Sequence, residues 1–197
     1  MEVVSAVAQG VESKMSGEAG IRELLIELGQ DPDREGLIDT PKRVVKAMKE
    51  MTSGYDMDPA EILCRQFEGD GYEDLVIVRG IRFSSMCEHH LLPFIGTASV
   101  AYLPKKRVVG LSKLPRLVEC YARRLQLQER MTNQIGMAVW NHLDPQGAGV
   151  HVQATHQCMA CRGVRQPDAD MVTTMVIGAM KDDPSLKSEF ISAVQNY

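Results

Sequence analysis

Apolar residues in the first quarter of the chain recur with the period of an amphipathic helix. Ile21, Leu24, Leu25 and Leu28 are spaced by one, three or four residues, and they precede Gly29, a residue type that is common just past a helix end. This spacing predicts a first helix that stops before the glycine.

A second helical pattern starts at Thr40 and Pro41, which suit an N-cap and the first helical position. Its apolar face consists of four residues that precede Gly54, namely Val44, Val45, Met48 and Met51. Together the two patterns predict that the N-terminal quarter of the chain is helical.

Four later segments have the composition of β-strands, because they consist mainly of β-branched and other apolar residues. They cover residues 75–78, 97–102, 150–154 and 171–177. Two helical patterns separate the second strand from the third. The first begins after Ser112 and has Leu114, Leu117, Val118, Tyr121 and Leu125 on its apolar face. The second runs through Met131, Ile135, Ala138 and Val139.

This order of elements predicts an α+β fold. The N-terminal helices are followed by an antiparallel four-stranded sheet with two helices packed on one face. Such a sheet has open edges, and other copies of the chain would cover them. We therefore expect a homo-oligomer, with an N-terminal helical region at residues 1–70 and a sheet-containing domain at residues 71–197.

Composition narrows the class of function. A formal net charge of -4 excludes a general electrostatic attraction to nucleic acid or to an anionic membrane. No apolar run approaches the roughly 18 residues that span a bilayer, and the first residues lack the pattern of a secretory signal. We interpret the chain as cytoplasmic, and any anionic ligand must meet a local cluster of cations.

Two short segments carry residues that bind transition metals. Cys87 and His90 are three positions apart, and Cys158 and Cys161 come later, beside His156. Thiolate and imidazole are ligands that zinc prefers. Five cysteines, an odd number, favour metal ligands or reduced thiols over a disulfide framework.

Spacing alone leaves three alternatives for these residues. Three ligands, Cys87, His90 and Cys158, would leave a position open for water, as a catalytic zinc ion requires. A fourth ligand, Cys161, would close the site and make it structural. In the third alternative the later cysteines are small buried residues and no metal binds.

The neighbouring histidines favour the catalytic alternative, because a structural site needs no further titratable groups. His89 and His156 are close in sequence to the candidate ligands and could transfer protons near neutral pH. Alternatively, each histidine could merely orient a ligand beside it.

Cations for an anionic ligand occur where the helix after Ser112 begins. Lys113 and Arg116 lie three residues apart beside free backbone N–H groups, an arrangement that binds phosphate. The alternative is a solvated helix face. Arg162 and Arg43 are further candidates, which only the tertiary structure could bring close.

Gln128 and Glu129 lie between the two central helical patterns. An ionised carboxylate there could accept two hydrogen bonds, from N1–H and the 2-amino group of guanine, a donor pair that adenine lacks. The alternative is a glutamate that merely stabilises the first turn of a helix.

Four motifs resemble the GTP cyclohydrolase I family, and the similarity runs from about Ile21 to the end of the chain. The motifs are Ser85–His90, Gly110–Arg116, Gln126–Thr132 and His156–Val164. The resemblance implies a tunnelling fold, in which antiparallel sheets of several subunits close an oligomeric barrel. It also implies a homodecamer with active sites at subunit interfaces, so that the domain at 71–197 would be catalytic.

The resemblance further implies a role for each candidate residue. Zn2+ would be bound by Cys87, His90 and Cys158, and protons would be handled by His89 and His156. Guanine would be held by Glu129, with Gln128 alongside. The ribose triphosphate of the substrate GTP would contact Ser112, Lys113, Arg116 and Arg162, with Arg43 contributed by a neighbouring subunit.

The implied reaction opens the guanine ring of GTP by hydrolysis, releases formate and recloses the atoms as 7,8-dihydroneopterin triphosphate. Zinc lowers the pKa of its water, hydroxide attacks C8 and a histidine protonates N7. Three residues depart from the pattern that we expect of the family. Cys161 could add a metal ligand, and Ala169 and Met171 stand where hydroxyl residues are common.

Other classes of protein compete with this interpretation. Among tunnelling-fold enzymes, the nitrile reductase of queuosine synthesis uses a nucleophilic cysteine without zinc, and 6-pyruvoyltetrahydropterin synthase uses histidine ligands. A non-enzymatic alternative is a binding or scaffold module with a closed zinc site made of Cys87, His90, Cys158 and Cys161.

Overall fold

The computed structural model describes residues 15–195, and the chain divides after Glu50 into two compact units. The predicted boundary between regions 1–70 and 71–197 stays a prediction. Residues 1–14, 196 and 197 of these two regions lie outside the part of the chain that the structure describes.

The first unit contains two helices, α1 at Gly17–Glu27 and α2 at Thr40–Met51. The hydroxyl oxygen of Ser16 caps α1, and Gly29 follows it with a φ of 74°. The two predicted N-terminal helices are confirmed. However, α2 begins at Thr40 itself, so this threonine is the first helical residue and not the predicted N-cap.

The second unit opens with a short 3-10 helix at Ser53–Asp56. Its further elements, in chain order, are α3 at Pro59–Leu63, β1 at Gln66–Glu68, β2 at Val76–Cys87, β3 at Pro93–Leu103, β4 at Arg107–Val109, α4 at Lys113–Ala122, β5 at Leu125–Gln126, α5 at Gln128–Leu143, β6 at Gly147–His156, α6 at Gln157–Ala160, β7 at Met171–Gly178, α7 at Ala179–Asp182 and α8 at Pro184–Gln195.

The main sheet has five strands in the order β5, β2, β3, β6 and β7. The four long strands are antiparallel neighbours, as predicted, and only the two-residue β5 runs parallel to β2. The predicted α+β class is confirmed. β2 continues to Cys87, far beyond the predicted segment 75–78. The sequence pattern did not reveal this extension, because a bulge between Val78 and Ile81 interrupts the alternation of apolar residues along the strand.

Three parts of the second unit differ from the prediction. Leu125 was expected on the apolar face of the helix after Ser112, but α4 ends at Ala122 and Leu125 pairs with Met86. β1 and β4 form a separate two-stranded ribbon. Strands of two or three residues are too short to show a period. The C-terminal helices α7 and α8 were also not predicted.

The two faces of the sheet pack against different helices. Val100 of β3 belongs to the same buried cluster as Leu117 of α4 and Ile135 of α5. Leu103, which points the opposite way, belongs to a second cluster with Phe190 of α8. The two helices predicted on one face are therefore α4 and α5, while α8 covers part of the other. Across residues 15–195 we find no helix with the length and apolarity needed to cross a membrane.

The register of three strands brings candidate site residues to one end of the sheet. Ser85 of β2 pairs with Phe94 of β3, and Phe94 pairs with His156, the last residue of β6. Cys87 ends β2 two residues beyond Ser85. The end of β2 and the end of β6 are thus separated only by the beginning of β3.

β3 and β6 approach each other closely at Gly96. A Cβ atom on this glycine would overlap the carbonyl oxygen of Gln153 and would lie 2.6 Å from the Cα atom of Ala154. Both neighbours are backbone atoms of the strand that ends at His156. A side chain at Gly96 could therefore be accommodated only by moving that strand.

We expect Gly96→Ala to destabilise the fold by about 1 to 3 kcal/mol through overpacking. The measurement is thermal unfolding at one fixed protein concentration, because the midpoint of a protein that assembles depends on concentration. Gly20→Ala is the control, since a Cβ atom on this α1 residue meets nothing within 4 Å. An unfolding midpoint for Gly96→Ala equal to that of the parent would contradict the close approach of the two strands.

Candidate active site

Cys87, His90 and Cys158 come together at this end of the sheet. Their sulfur and nitrogen ligand atoms all lie within 4.8 Å of one another, and the Sγ atom of Cys87 is 3.9 Å from Nδ1 of His90. Cys87 is buried, Cys158 is half-buried and His90 is exposed. Two thiols and one imidazole at this spacing fit a tetrahedral zinc ion and leave its fourth position open.

The turn between β2 and β3 holds Cys87 and His90. The backbone N–H of Cys87 donates to the carbonyl oxygen of Leu92 at 2.9 Å, and the N–H of Leu91 donates back to the carbonyl oxygen of Cys87. Leu91 has a φ of 51°, in the left-handed region. This backbone conformation turns a three-residue separation in sequence into two adjacent side chains.

The second thiol comes from α6, the four-residue helix after β6. Burial raises the pKa of the Cys158 thiol, and the adjacent Cys87 raises it further, whereas the positive charge of Arg162 opposes both effects. The exposed Cys161 instead donates its S–H to the carbonyl oxygen of Gln157 at 2.9 Å. Within residues 15–195, three of the four candidate ligands are therefore brought together and Cys161 is not among them.

His156 lies at the junction of β6 and α6, beside this group. Its ring stacks on Phe94 with centroids 4.6 Å apart, and its Nε2 atom is 2.9 Å from Oε1 of Gln128. Burial lowers the pKa of His156, and the negative charge of Glu129 opposes that shift. An imidazole that stays neutral near pH 7 can accept a proton.

Gln128 is buried and orients His156. Its amide nitrogen donates to the carbonyl oxygens of Val152 and Met171 and to the hydroxyl of Thr173. These acceptors turn the amide oxygen of Gln128 towards His156. The Nε2 atom of the histidine therefore carries the hydrogen, and Nδ1 is the free nitrogen of the neutral ring. Sequence reasoning missed this contact, and the role of Gln128 beside guanine stays a prediction.

Glu129 occupies the first turn of α5 and is exposed. It lines an open cavity of about 520 Å³ together with Thr132 and Asn133. Lys181 of α7 and Lys187 of α8 line the same cavity. These two lysines were not predicted, because nothing in their sequence context distinguishes them from ordinary surface lysines. A carboxylate beside an open cavity is available to accept hydrogen bonds from a ligand.

His89 and Arg162 are both exposed at this end of the sheet. The ring of His89 is nearly perpendicular to that of His90, with centroids 6.2 Å apart. Arg162 is close enough to Cys158 for its charge to act on the pKa of that thiol. Both side chains can therefore reach a ligand that enters from solvent.

The sequence model of the GTP cyclohydrolase I family matches residues 17–195. The chain belongs to this family. The GTP cyclohydrolase 1 of Streptococcus suis (strain 05ZYH33) is 50% identical over 180 residues, which cover 91% of this chain and 96% of that protein. The GTP cyclohydrolase 1 of Wolinella succinogenes is 47% identical over 185 residues, or 94% of this chain and 99% of that protein.

A third relative, the GTP cyclohydrolase 1 of Synechococcus sp. (strain JA-3-3Ab), is 48% identical over 178 residues, which cover 90% of this chain and 78% of that protein. Among solved structures, the apo form of an archaeosine synthase, QueF-Like, covers 54% of this chain at 19% identity and a TM-score of 0.45. That weak likeness carries no argument about function.

Some candidate residues of this GTP cyclohydrolase I family member lie far from the metal-binding group. Leu114, in the first turn of α4, lines a cavity with Val76, the first residue of β2. β2 runs for 12 residues before it ends at Cys87, a length on the order of 35 Å. Lys113 directly precedes Leu114 and Arg116 follows it by two residues, so both lie near the opposite end of the sheet from Cys87, His90 and Cys158.

The contacts of Ser112 and Arg43 also differ from those that the sequence indicates. Ser112 precedes α4, but its backbone is in the α region and its side chain makes no capping hydrogen bond. Arg43 lies in α2 of the first unit, where it forms an ion pair with Asp39 at 3.2 Å. The binding roles of both residues stay predictions.

Cys158 in α6 and Cys161 directly after this helix give a direct test of the ligand set. Cys158→Ala should abolish tight zinc binding, because one of only three protein ligands is lost, whereas Cys161→Ala should keep about one zinc per chain. Zinc is measured by elemental analysis of reduced protein after dialysis. Cys161→Ala is the matched control, and loss of zinc in that variant would contradict a three-ligand site.

Proposed function

We propose that this chain hydrolyses GTP to formate and 7,8-dihydroneopterin triphosphate at the site around Cys87, His90 and Cys158. The observation that carries the proposal is the convergence of two thiols and an imidazole within 4.8 Å of one another. His156 and Glu129 lie close by, since the charge of Glu129 acts on the pKa of His156. The chain is an enzyme of the GTP cyclohydrolase I family, and the curated relatives named above are GTP cyclohydrolases.

Zinc bound by these three side chains would supply Lewis acidity and an activated water for attack on C8 of guanine. His156 first takes up a proton at its free Nδ1 atom from the water that attacks C8. It then delivers this proton to N7, so that the five-membered ring can open. Its neutral form is available near pH 7 because burial lowers the pKa of His156. His89, exposed beside His90, handles a second proton.

Glu129 selects guanine. Its carboxylate accepts one hydrogen bond from N1–H and one from the 2-amino group, and both are strengthened by its negative charge. Adenine would place an acceptor nitrogen and a C–H group against the same carboxylate. GTP is therefore bound in preference to ATP.

Two copies of the chain form each site. Arg162 contacts the phosphates from the chain that supplies the metal ligands, because it lies close to Cys158. Ser112, Lys113 and Arg116 come from a neighbouring copy, since in their own chain they lie near the opposite end of the sheet from the metal-binding group. Arg43 also comes from a neighbour.

Open strand edges support such an assembly. Among residues 15–195, β7 has no strand on its outer side, and β2 has one only at Met86 and Cys87. Edges of this length are normally covered, and pairing between copies would cover both at once. We propose that the sheets of several copies close into the barrel of a tunnelling fold, as a homodecamer.

Formate release tests the proposed activity directly. The purified chain is incubated with GTP after zinc loading, and a second sample is treated with a chelator. Formate should appear only with zinc, together with a pterin that fluoresces after oxidation, and ATP should yield none. Bound zinc without formate release from GTP would instead indicate a binding module.

Glu129→Gln should lower kcat/KM for GTP on the order of 100-fold, because an amide offers one acceptor where two guanine donors need a carboxylate. Zinc content should stay parental. Glu119→Gln is the control, because it removes an exposed carboxylate that forms an ion pair with Arg123 on the surface of α4. An activity of Glu129→Gln within about twofold of the parent would sink the assignment.

Complementation tests whether two copies share a site. At GTP concentrations well below KM, Lys113→Ala and Glu129→Gln should each retain little activity, because one removes a phosphate contact and raises KM and the other removes a guanine contact. Co-expression of the two variants makes random mixed oligomers. Each site then has about one chance in four of receiving both an intact Lys113 and an intact Glu129, so activity should return to about a quarter of the parental value. Mixed oligomers as inactive as the two single variants would show that one chain supplies both residues.

A further inference from the structure

A bidentate ion pair joins the metal-binding turn to α5. The Nη1 and Nη2 groups of Arg130 donate to the two carboxylate oxygens of Glu88 at 2.6 and 2.8 Å. Glu88 follows the metal ligand Cys87 directly, and Arg130 directly follows Glu129. The pair therefore connects the neighbour of a metal ligand with the neighbour of the residue proposed to hold guanine.

Glu129 is flanked by two anchored side chains. On one side, the buried amide of Gln128 is tied to the carbonyl oxygens of Val152 and Met171. On the other side, Arg130 is tied to Glu88. The N-cap residue of α5 makes no side-chain capping bond. The two flanking ties, together with the pairing of β5 that leads into the helix, hold this first turn and so the Glu129 carboxylate.

The metal-binding turn does not need the ion pair for its own shape. Backbone hydrogen bonds join Cys87 to Leu91 and Leu92, and the N–H of Glu88 donates to the carbonyl oxygen of Gln126 at 3.1 Å. Removing the Glu88 carboxylate leaves all of these bonds in place. The change would fall on the first turn of α5, and not on the metal ligands.

The exposure of the Glu88–Arg130 ion pair favours a role in positioning side chains over a role in folding stability. The side chains of Glu88 and Arg130 are 29% and 43% exposed, and ion pairs exposed to that extent contribute little to folding stability. Two parallel N–H···O bonds nevertheless impose a defined distance and angle. Catalysis responds far more steeply to placement, since a shift of about 1 Å can cost on the order of 100-fold in rate.

We propose that Glu88 and Arg130 are a positioning pair that sets the separation between the metal ligands and the Glu129 carboxylate. Guanine held by Glu129 then presents C8 to the metal site. Neither residue touches the reacting atoms. This inference rests on the proposed function, because it assigns Glu129 the guanine and Cys87 the metal.

Steady-state kinetics of Glu88→Gln, Arg130→Met and the double variant test the proposal. The kcat for formate release should fall about tenfold in each single variant, and by no more in the double variant, because the pair acts as one unit. KM for GTP should stay within about threefold of the parent, since the groups that bind the substrate are intact. Zinc content and the thermal midpoint should stay parental.

Two further variants sharpen the test. Arg130→Lys keeps the charge but cannot form two parallel hydrogen bonds, so its kcat should resemble that of Arg130→Met. Asp144→Asn is the matched control, because it removes an exposed ion pair with Lys105, 2.7 Å long, at the other end of α5. This control should have the parental kcat.

Each remaining outcome decides the question. Any of three results would overturn the positioning role. They are a parental kcat in both single variants, full activity of Arg130→Lys, and additive losses of kcat in the double variant. Loss of zinc or a lowered thermal midpoint in Glu88→Gln would overturn it in favour of a structural role. If the parent chain releases no formate from GTP, the proposed function itself fails. This outcome is distinct from failure of the positioning role, because it is measured on the parent chain and not on the variants.

Discussion

Backbone hydrogen bonds between β3 and its two neighbours pair Ser85 with Phe94 and Phe94 with His156. This register puts the end of β2 and the end of β6 one strand apart, so the turn after Cys87 and the helix that carries Cys158 meet. A slip of one residue would turn these side chains to the other face of the sheet. The close approach at Gly96 leaves little room for such a slip.

Burial then sets the chemistry of the residues that this register collects. It lowers the pKa of His156 and raises that of Cys158, so both effects favour the neutral group. A neutral imidazole is able to take up a proton, whereas a thiol with a raised pKa is harder to ionise. The role proposed for His156 uses this shift directly, whereas the role proposed for Cys158 requires the charge of a bound ion to offset it.

The anchoring of Glu129 differs in kind from that of the candidate metal ligands. Backbone hydrogen bonds shape the turn that carries Cys87 and His90, whereas side-chain contacts of Gln128 and Arg130 hold the first turn of α5. Glu129, proposed to bind guanine, is thus held by contacts other than those that shape the turn of Cys87 and His90. Lys113 lies near the far end of the sheet in the same chain, so its proposed role requires a second copy of the chain.

Local patterns in the sequence determined the helices α1, α2, α4 and α5, the four long strands, the α+β class and the grouping of Cys87 with His90, because each depends on residues a few positions apart. Only the tertiary structure decided that Cys161 stands outside the ligand group and that Gln128 is buried against His156. The same holds for the distance of Lys113 from the metal ligands. These facts depend on strand register and on side-chain direction, which arise from contacts between residues far apart in the chain and leave no periodic trace in its sequence.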